Sequence, residues 1–126
     1  MKTVAMVLFP DFLLLDMAGP MEVFSIANRY LKPADHYVLT TIGTEPGALR
    51  ASNGVKVQAD QPIDQACDGF DLLLVPGGPG AYNEKHPPLL DWLKHNVRRS
   101  RTYGSICTGA VVLGHAGLHD GLRLNT

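Results

Sequence analysis

The stretch Thr102-Tyr103-Gly104-Ser105-Ile106-Cys107-Thr108-Gly109-Ala110-Val111-Val112-Leu113-Gly114-His115 changes character in its middle. Thr102 to Ile106 has the composition of a strand. Thr108 to His115 is an apolar helical run, and Gly117 is a natural stop for it. Strand and helix meet with almost no loop, so Cys107 is forced into a tight turn. The sulfur then projects beyond the carboxyl end of a strand, where open α/β sheets bind their ligands. The same residues therefore propose an architecture and a site.

Working outward, Asp71 to Val75 is a second apolar strand that runs directly into Pro76-Gly77-Gly78-Pro79-Gly80, and a helix is expected from about Pro88 to Arg99. Upstream, Thr3 to Phe9 is a continuous apolar run that suits a strand buried on both faces. Val23, Phe24, Ile26, Ala27, Tyr30 and Leu31 recur at helical spacing. With Pro20 suited to a first helical turn, residues 20–31 read as an amphipathic helix. Tyr37 to Ile42 reads as a strand. Turn signals in 43–54 surround a possible short strand, and Val55, Val57 and Ala59 alternate as a half-exposed one. Pro62 to Ala66 is read as a short helix, and Leu122 to Thr126 as a further strand beginning. Strands that alternate with helices, and are too apolar for a wet face, predict a mostly parallel sheet covered by helices on both sides.

Composition narrows the classes. The chain has 126 residues, 45% hydrophobic and 18% charged, with a formal net charge of −1. That is one globular domain with no general attraction to nucleic acid or acidic membrane. Lys94, His95, Arg98, Arg99 and Arg101 cluster where a helix ends, where cations complement its dipole. Two cysteines, Cys67 and Cys107, are too few for a disulfide framework or a paired-cysteine zinc site. Pro10, Asp11 and Asp16 interrupt the apolar N-terminus, unlike a signal peptide. No run approaches the ~18 apolar residues of a bilayer span. The expectation is a cytoplasmic protein that contacts no membrane and needs neither metal nor cofactor.

Three places carry candidate chemistry. At Cys107, a helix N-terminus favours thiolate. A buried structural cysteine is the ordinary alternative, but it leaves the flanking Gly104 and Gly109 unexplained. At Gly77 and Gly78, glycines after a strand let peptide N–H groups face a pocket and bind an anion or oxyanion; a simple turn is the alternative. Asp16 is a poor packing residue. Either it bonds the thiol or acts as acid or base on a ligand, or it caps the following helix. Glu22 suits a solvated first helical turn, and Cys67 a filler role. His36, His86, His95, His115 and His119 show no metal-ligand spacing.

With these residues in view, the chain resembles the ThiJ/PfpI superfamily, whose fold is like that of class I glutamine amidotransferases. The resemblance rests on Leu15-Asp16-Met17-Ala18-Gly19-Pro20-Met21-Glu22-Val23-Phe24, on Val75-Pro76-Gly77-Gly78, on Ser105-Ile106-Cys107-Thr108-Gly109-Ala110, and on 113–121. It implies a flavodoxin-like, three-layer α/β/α sandwich over residues 1–126, truncated at its C-terminus. Within the superfamily the Asp-x-x-Gly-Pro and Cys-Thr-Gly forms resemble isonitrile hydratase, and they also resemble the amino-terminal domain of AraC-type transcription regulators. The first likeness implies catalytic roles for Asp16, Cys107 and Thr108, with Gly77 and Gly78 binding ligand or oxyanion. The second, favoured by 22–29, implies a homodimeric sensor of a small molecule. DNA would then be contacted only through a helix-turn-helix region outside these residues.

Overall fold

In the computed structural model, residues 1–66, 69–83 and 86–118 are described. The strands β1 (Lys2–Leu8), β2 (Tyr37–Gly43), β5 (Gln61–Pro62), β6 (Leu72–Val75) and β7 (Thr102–Ser105) form one sheet. Its order is β5-β2-β1-β6-β7, and every pairing in it is parallel. Two further strands, β3 (Ala48–Arg50) and β4 (Lys56–Gln58), pair antiparallel as a separate ribbon.

β1 is central because its sequence allows nothing else. Val4 to Phe9 are at most 1% exposed, and a strand apolar on both faces must be covered on both. From β1 the chain moves to β2 through helix α1 (Leu14–Ala27). From β6 it moves the opposite way to β7 through α2 (Gly80–Asn83) and α3 (Pro87–Arg99). Right-handed crossovers in opposite directions place these helices on opposite faces. Helix α4 (Gly109–His115) packs beside α2 and α3. The result is the expected three-layer α/β/α arrangement. Leu73, Val75, Leu89, Leu93, Val112 and Leu113 are buried between β6 and the α3–α4 layer. Each such side chain contributes about 1.5–3 kcal/mol through burial.

Polar clamps set the register. The Thr3 amide donates to Asp71 Oδ2 at 2.7 Å, the Thr3 hydroxyl donates to the same oxygen at 3.3 Å, and the Asp71 amide donates to Thr3 Oγ1 at 3.0 Å. These bonds fasten β1 to the entrance of β6. The Thr3 amide foremost holds the Asp71 carboxyl below its usual range. The Thr3 hydroxyl and the charges of Arg101 and Lys2 act the same way, against some desolvation. Likewise Asn28 bonds both the amide and the carbonyl of Tyr37, at 2.7 and 2.9 Å, tying the end of α1 to the start of β2.

Three sequence expectations need correction. The first helix starts at Leu14, not Pro20, and ends at Ala27 before a 3-10 turn, Asn28–Tyr30. Pro20 lies inside it, where it has no N–H to give the Asp16 carbonyl and its ring crowds that carbonyl. Nor does this helix have one buried apolar face. None of its residues is fully buried, and Leu15 and Val23 are 72% and 66% exposed, because its composition is apolar on every side. Pro62 to Ala66 is no helix: Pro62 ends β5 and a turn follows. The strand expected at 122–126, with Cys67 and His119, lies outside the described residues.

Candidate functional site

The sheet order reverses between β1 and β6, and the loops leaving these strands and β7 converge at their carboxyl ends. The β1–α1 loop braces the glycine loop through backbone bonds. The Leu13 amide donates to the Gly77 carbonyl at 2.8 Å, and the Gly80 amide donates to the Asp11 carbonyl at 3.0 Å. Asp11 has φ +61°. Its sequence neighbourhood reads only as a strand break, so this bracing role was missed. The signal was the aspartate beside Pro10, since Asp tolerates left-handed backbone better than most residues.

Cys107 follows β7 with φ +50°, and it is an exposed, free cysteine. Its left-handed conformation has a direct cause. The Ile106 amide is still held by the Val75 carbonyl at 2.9 Å, while the Gly109 amide already turns back to the Ile106 carbonyl at 3.0 Å. One residue must reverse the chain between them, at a cost of about 1–2 kcal/mol for a side chain that is not glycine. Gly109 is required by contact: a Cβ there would collide with the Val75 carbonyl oxygen. Its exposure sets aside the alternative of a buried structural cysteine at Cys107.

Asp16 lies in the first turn of α1, whose N-cap is Leu13, so it does not cap that helix. Its Oδ2 instead accepts the Gly77 amide at 3.0 Å. The next amide, that of Gly78, donates to Thr108 Oγ1 at 2.9 Å. Gly78 has φ +122°, a conformation open to glycine, and Gly77 has no room for a side chain. A Cβ on Gly77 would stand 2.6 Å from Thr108 Oγ1, 2.8 Å from the Thr108 nitrogen and 2.9 Å from Asp16 Oδ2. All five residues singled out from the sequence thus belong to one sheet edge, with Asp16 and Thr108 meeting around Gly77. Both glycine amides are bonded within the protein, whereas the Thr108 amide has no acceptor among the described residues. The basic cluster lies elsewhere, with Arg98 and Arg99 in the last turn of α3. Trp92 packs against Phe70, ring centroids 6.4 Å apart. Among the described residues, no three His, Cys, Asp or Glu side chains are grouped to hold a metal ion. No described helix is long and apolar enough to cross a membrane.

A parallel sheet in this order, with a cysteine that reverses the chain just after β7 and a glycine loop leaving β6, defines a class of α/β domain. Residues 2–126 match the DJ-1/PfpI family, and the chain belongs to it. It is 39% identical over 124 residues to the uncharacterized protein in the cpoL 5' region of Streptomyces lividans, covering 98% of this chain and 85% of that one. It is 36% identical to the HTH-type transcriptional regulator CdhR of Pseudomonas aeruginosa, over 92% of this chain but 34% of the regulator. Isonitrile hydratase of Pseudomonas putida is 27% identical, over 98% of this chain and 51% of the enzyme. The chain thus spans about a third of the regulator and half of the hydratase. In structure, a ThiJ/PfpI family protein from Pseudomonas syringae superimposes with a TM-score of 0.79 at 18% identity, covering 93% of this chain and 46% of that one. This last likeness concerns the fold alone.

Proposed function

We propose that this chain is the ligand-sensing domain of an AraC-type transcription regulator, with a small molecule bound at the Cys107 edge. One observation carries the reading. Identity to a helix-turn-helix regulator is 36% over 92% of the chain, against 27% to the hydratase. In this reading the ligand faces the exposed sulfur of Cys107 and the amide of Thr108, which has no acceptor among the described residues, with Asp16, Gly77 and Gly78 at the same sheet edge. To act as a signal it must bind two states of the protein with different affinity. The geometry of a homodimer and of a DNA-binding region is what such a shift would change. The test is a gel-shift titration of the full-length gene product on the DNA upstream of its own gene. DNA binding whose midpoint moves with ligand, and stops moving in Cys107→Ala, is expected. A full-length product without a helix-turn-helix region that binds no DNA overturns the reading.

A second reading is favoured by a specific arrangement: Asp16 and Thr108 meet around Gly77, and Cys107 directly precedes Thr108 in the chain. In an enzyme of the isonitrile hydratase kind, the Cys107 thiolate would attack an electrophilic carbon and Asp16 would move the proton. The Thr108 amide would meet the negative charge that develops. Turnover of an isonitrile that is undiminished in Cys107→Ser would exclude covalent catalysis by this residue.

A further inference from the structure

A threonine at a helix N-cap ordinarily turns its hydroxyl onto the free amides of its own helix. Thr108 is the N-cap of α4 and makes no such bond. Its Oγ1 reaches the other strand's loop and accepts the Gly78 amide at 2.9 Å, with its hydroxyl only 3.5 Å from the Gly78 carbonyl. Successive glycine amides form an anion-binding concavity only when their N–H groups are open. Here the first is taken by a side-chain oxygen of Asp16 and the second by a neutral hydroxyl. Removing the carboxylate would leave the glycine loop's brace to α1 broken. Removing the hydroxyl would uncover one donor beside the Cys107 turn.

We propose that Thr108 is the specificity-determining residue of this site. By covering the Gly78 N–H with its hydroxyl, it turns an amide concavity suited to an anionic oxygen into one suited to a neutral group. The inference rests on the reading of the Cys107 edge as ligand-contacting. The hydroxyl hydrogen is itself donated to the Gly78 carbonyl at 3.5 Å, so the hydroxyl closes onto Gly78 from both sides and offers an anionic oxygen no donor there. Thr108 acts through Gly78, so it is a positioning residue here, and serine should replace it while alanine should not.

Two alkylating probes of similar size and different charge test this. With iodoacetamide or iodoacetate, the Cys107 sulfur displaces iodide, a C–S bond replaces the C–I bond, and the thiol proton goes to solvent. Modification of the Cys107 peptide is followed by mass spectrometry, and the acetate-to-acetamide rate ratio is normalised to that of urea-unfolded protein. Thr108→Ala should raise the normalised ratio about tenfold, the worth of one added charge-assisted hydrogen bond, and Thr108→Ser should leave it at the wild-type value. An unchanged ratio in Thr108→Ala, or a Thr108→Ser ratio shifted as far, overturns this proposal alone. A wild-type Cys107 that neither probe modifies overturns the site reading as well. If Thr108→Ala does not fold, amide exchange of Gly78 in the wild type decides. Protection supports the covering bond, and exchange at the rate of an unstructured amide overturns it.

Discussion

Cys107 holds its backbone at φ +50°, where a side chain without glycine's freedom is strained. Replacing it separates geometry from chemistry. Cys107→Gly should leave stability at or above that of the wild type, because the relief of strain offsets the greater freedom of the unfolded chain. Cys107→Val, β-branched and intolerant of positive φ, should lower it by about 1–2 kcal/mol. Urea denaturation of the two variants checks the contrast, and equal losses would contradict the assigned turn. Gly77 answers to contact instead. Gly77→Ala drives a methyl group against Thr108 Oγ1, the Thr108 nitrogen and Asp16 Oδ2, so it should cost about 1–3 kcal/mol. It should also remove the protection of the Gly78 amide from exchange. The Cys107 turn was legible in the sequence because an apolar strand and an apolar helix abut there with no room for a loop. Asp16 was legible only as chemistry in need of a place, and Thr108 only through the family resemblance. That each would hold one glycine amide depends on where α1 and β7 fall relative to β6, and no local pattern encodes that.

Among the elements, the junction of β1 and β6 has a pH signature. The Asp71 carboxyl is held below its ordinary range by Thr3. Its folded pKa is therefore lower than its unfolded one, so the clamp's contribution is fully present above the unfolded value. It is lost as pH falls from about 4 through the lower folded value. Melting temperatures of wild type and Asp71→Asn should differ most near neutrality and converge as pH falls through the lowered folded value. A difference that grows on acidification would have the wrong sign. The sheet core is a second case: Leu73 is fully buried between layers, and Leu73→Ala should cost about 2–5 kcal/mol in urea denaturation. Helix α1 is the opposite. Val23 is 66% exposed, and Val23→Ser should change stability by no more than about 0.5 kcal/mol. The sequence misplaced this helix because Pro20 looks like a first-turn proline, while the true start at Leu14 carries no capping side chain. Its apolar residues do recur at helical spacing, but they also fill the positions between, so spacing could not tell which face was covered. The Thr3–Asp71 clamp spans 68 positions and depends on strand register, so it too lay beyond sequence reading.

At the scale of the molecule, alternating apolar strands and helices were enough for the architecture, because strands such as Val4 to Leu8 admit only a sheet covered on both faces. Strand direction then marks the edge at which open α/β sheets bind ligands, and Asp16, Gly77, Gly78, Cys107 and Thr108 lie there, which is why the proposed chemistry is assigned to them. Whether that chemistry reports a ligand or transforms one is decided by what the full-length product does with DNA and with isonitriles. Both readings share one requirement, a sulfur at residue 107 that small molecules reach without unfolding the protein. The direct measurement is the rate at which iodoacetamide modifies Cys107 in the native protein, compared with the same protein in concentrated urea. The predicted native rate lies within about tenfold of the unfolded one, as befits an exposed thiol. A native rate slower by several orders of magnitude, with reaction only after unfolding, would contradict the account.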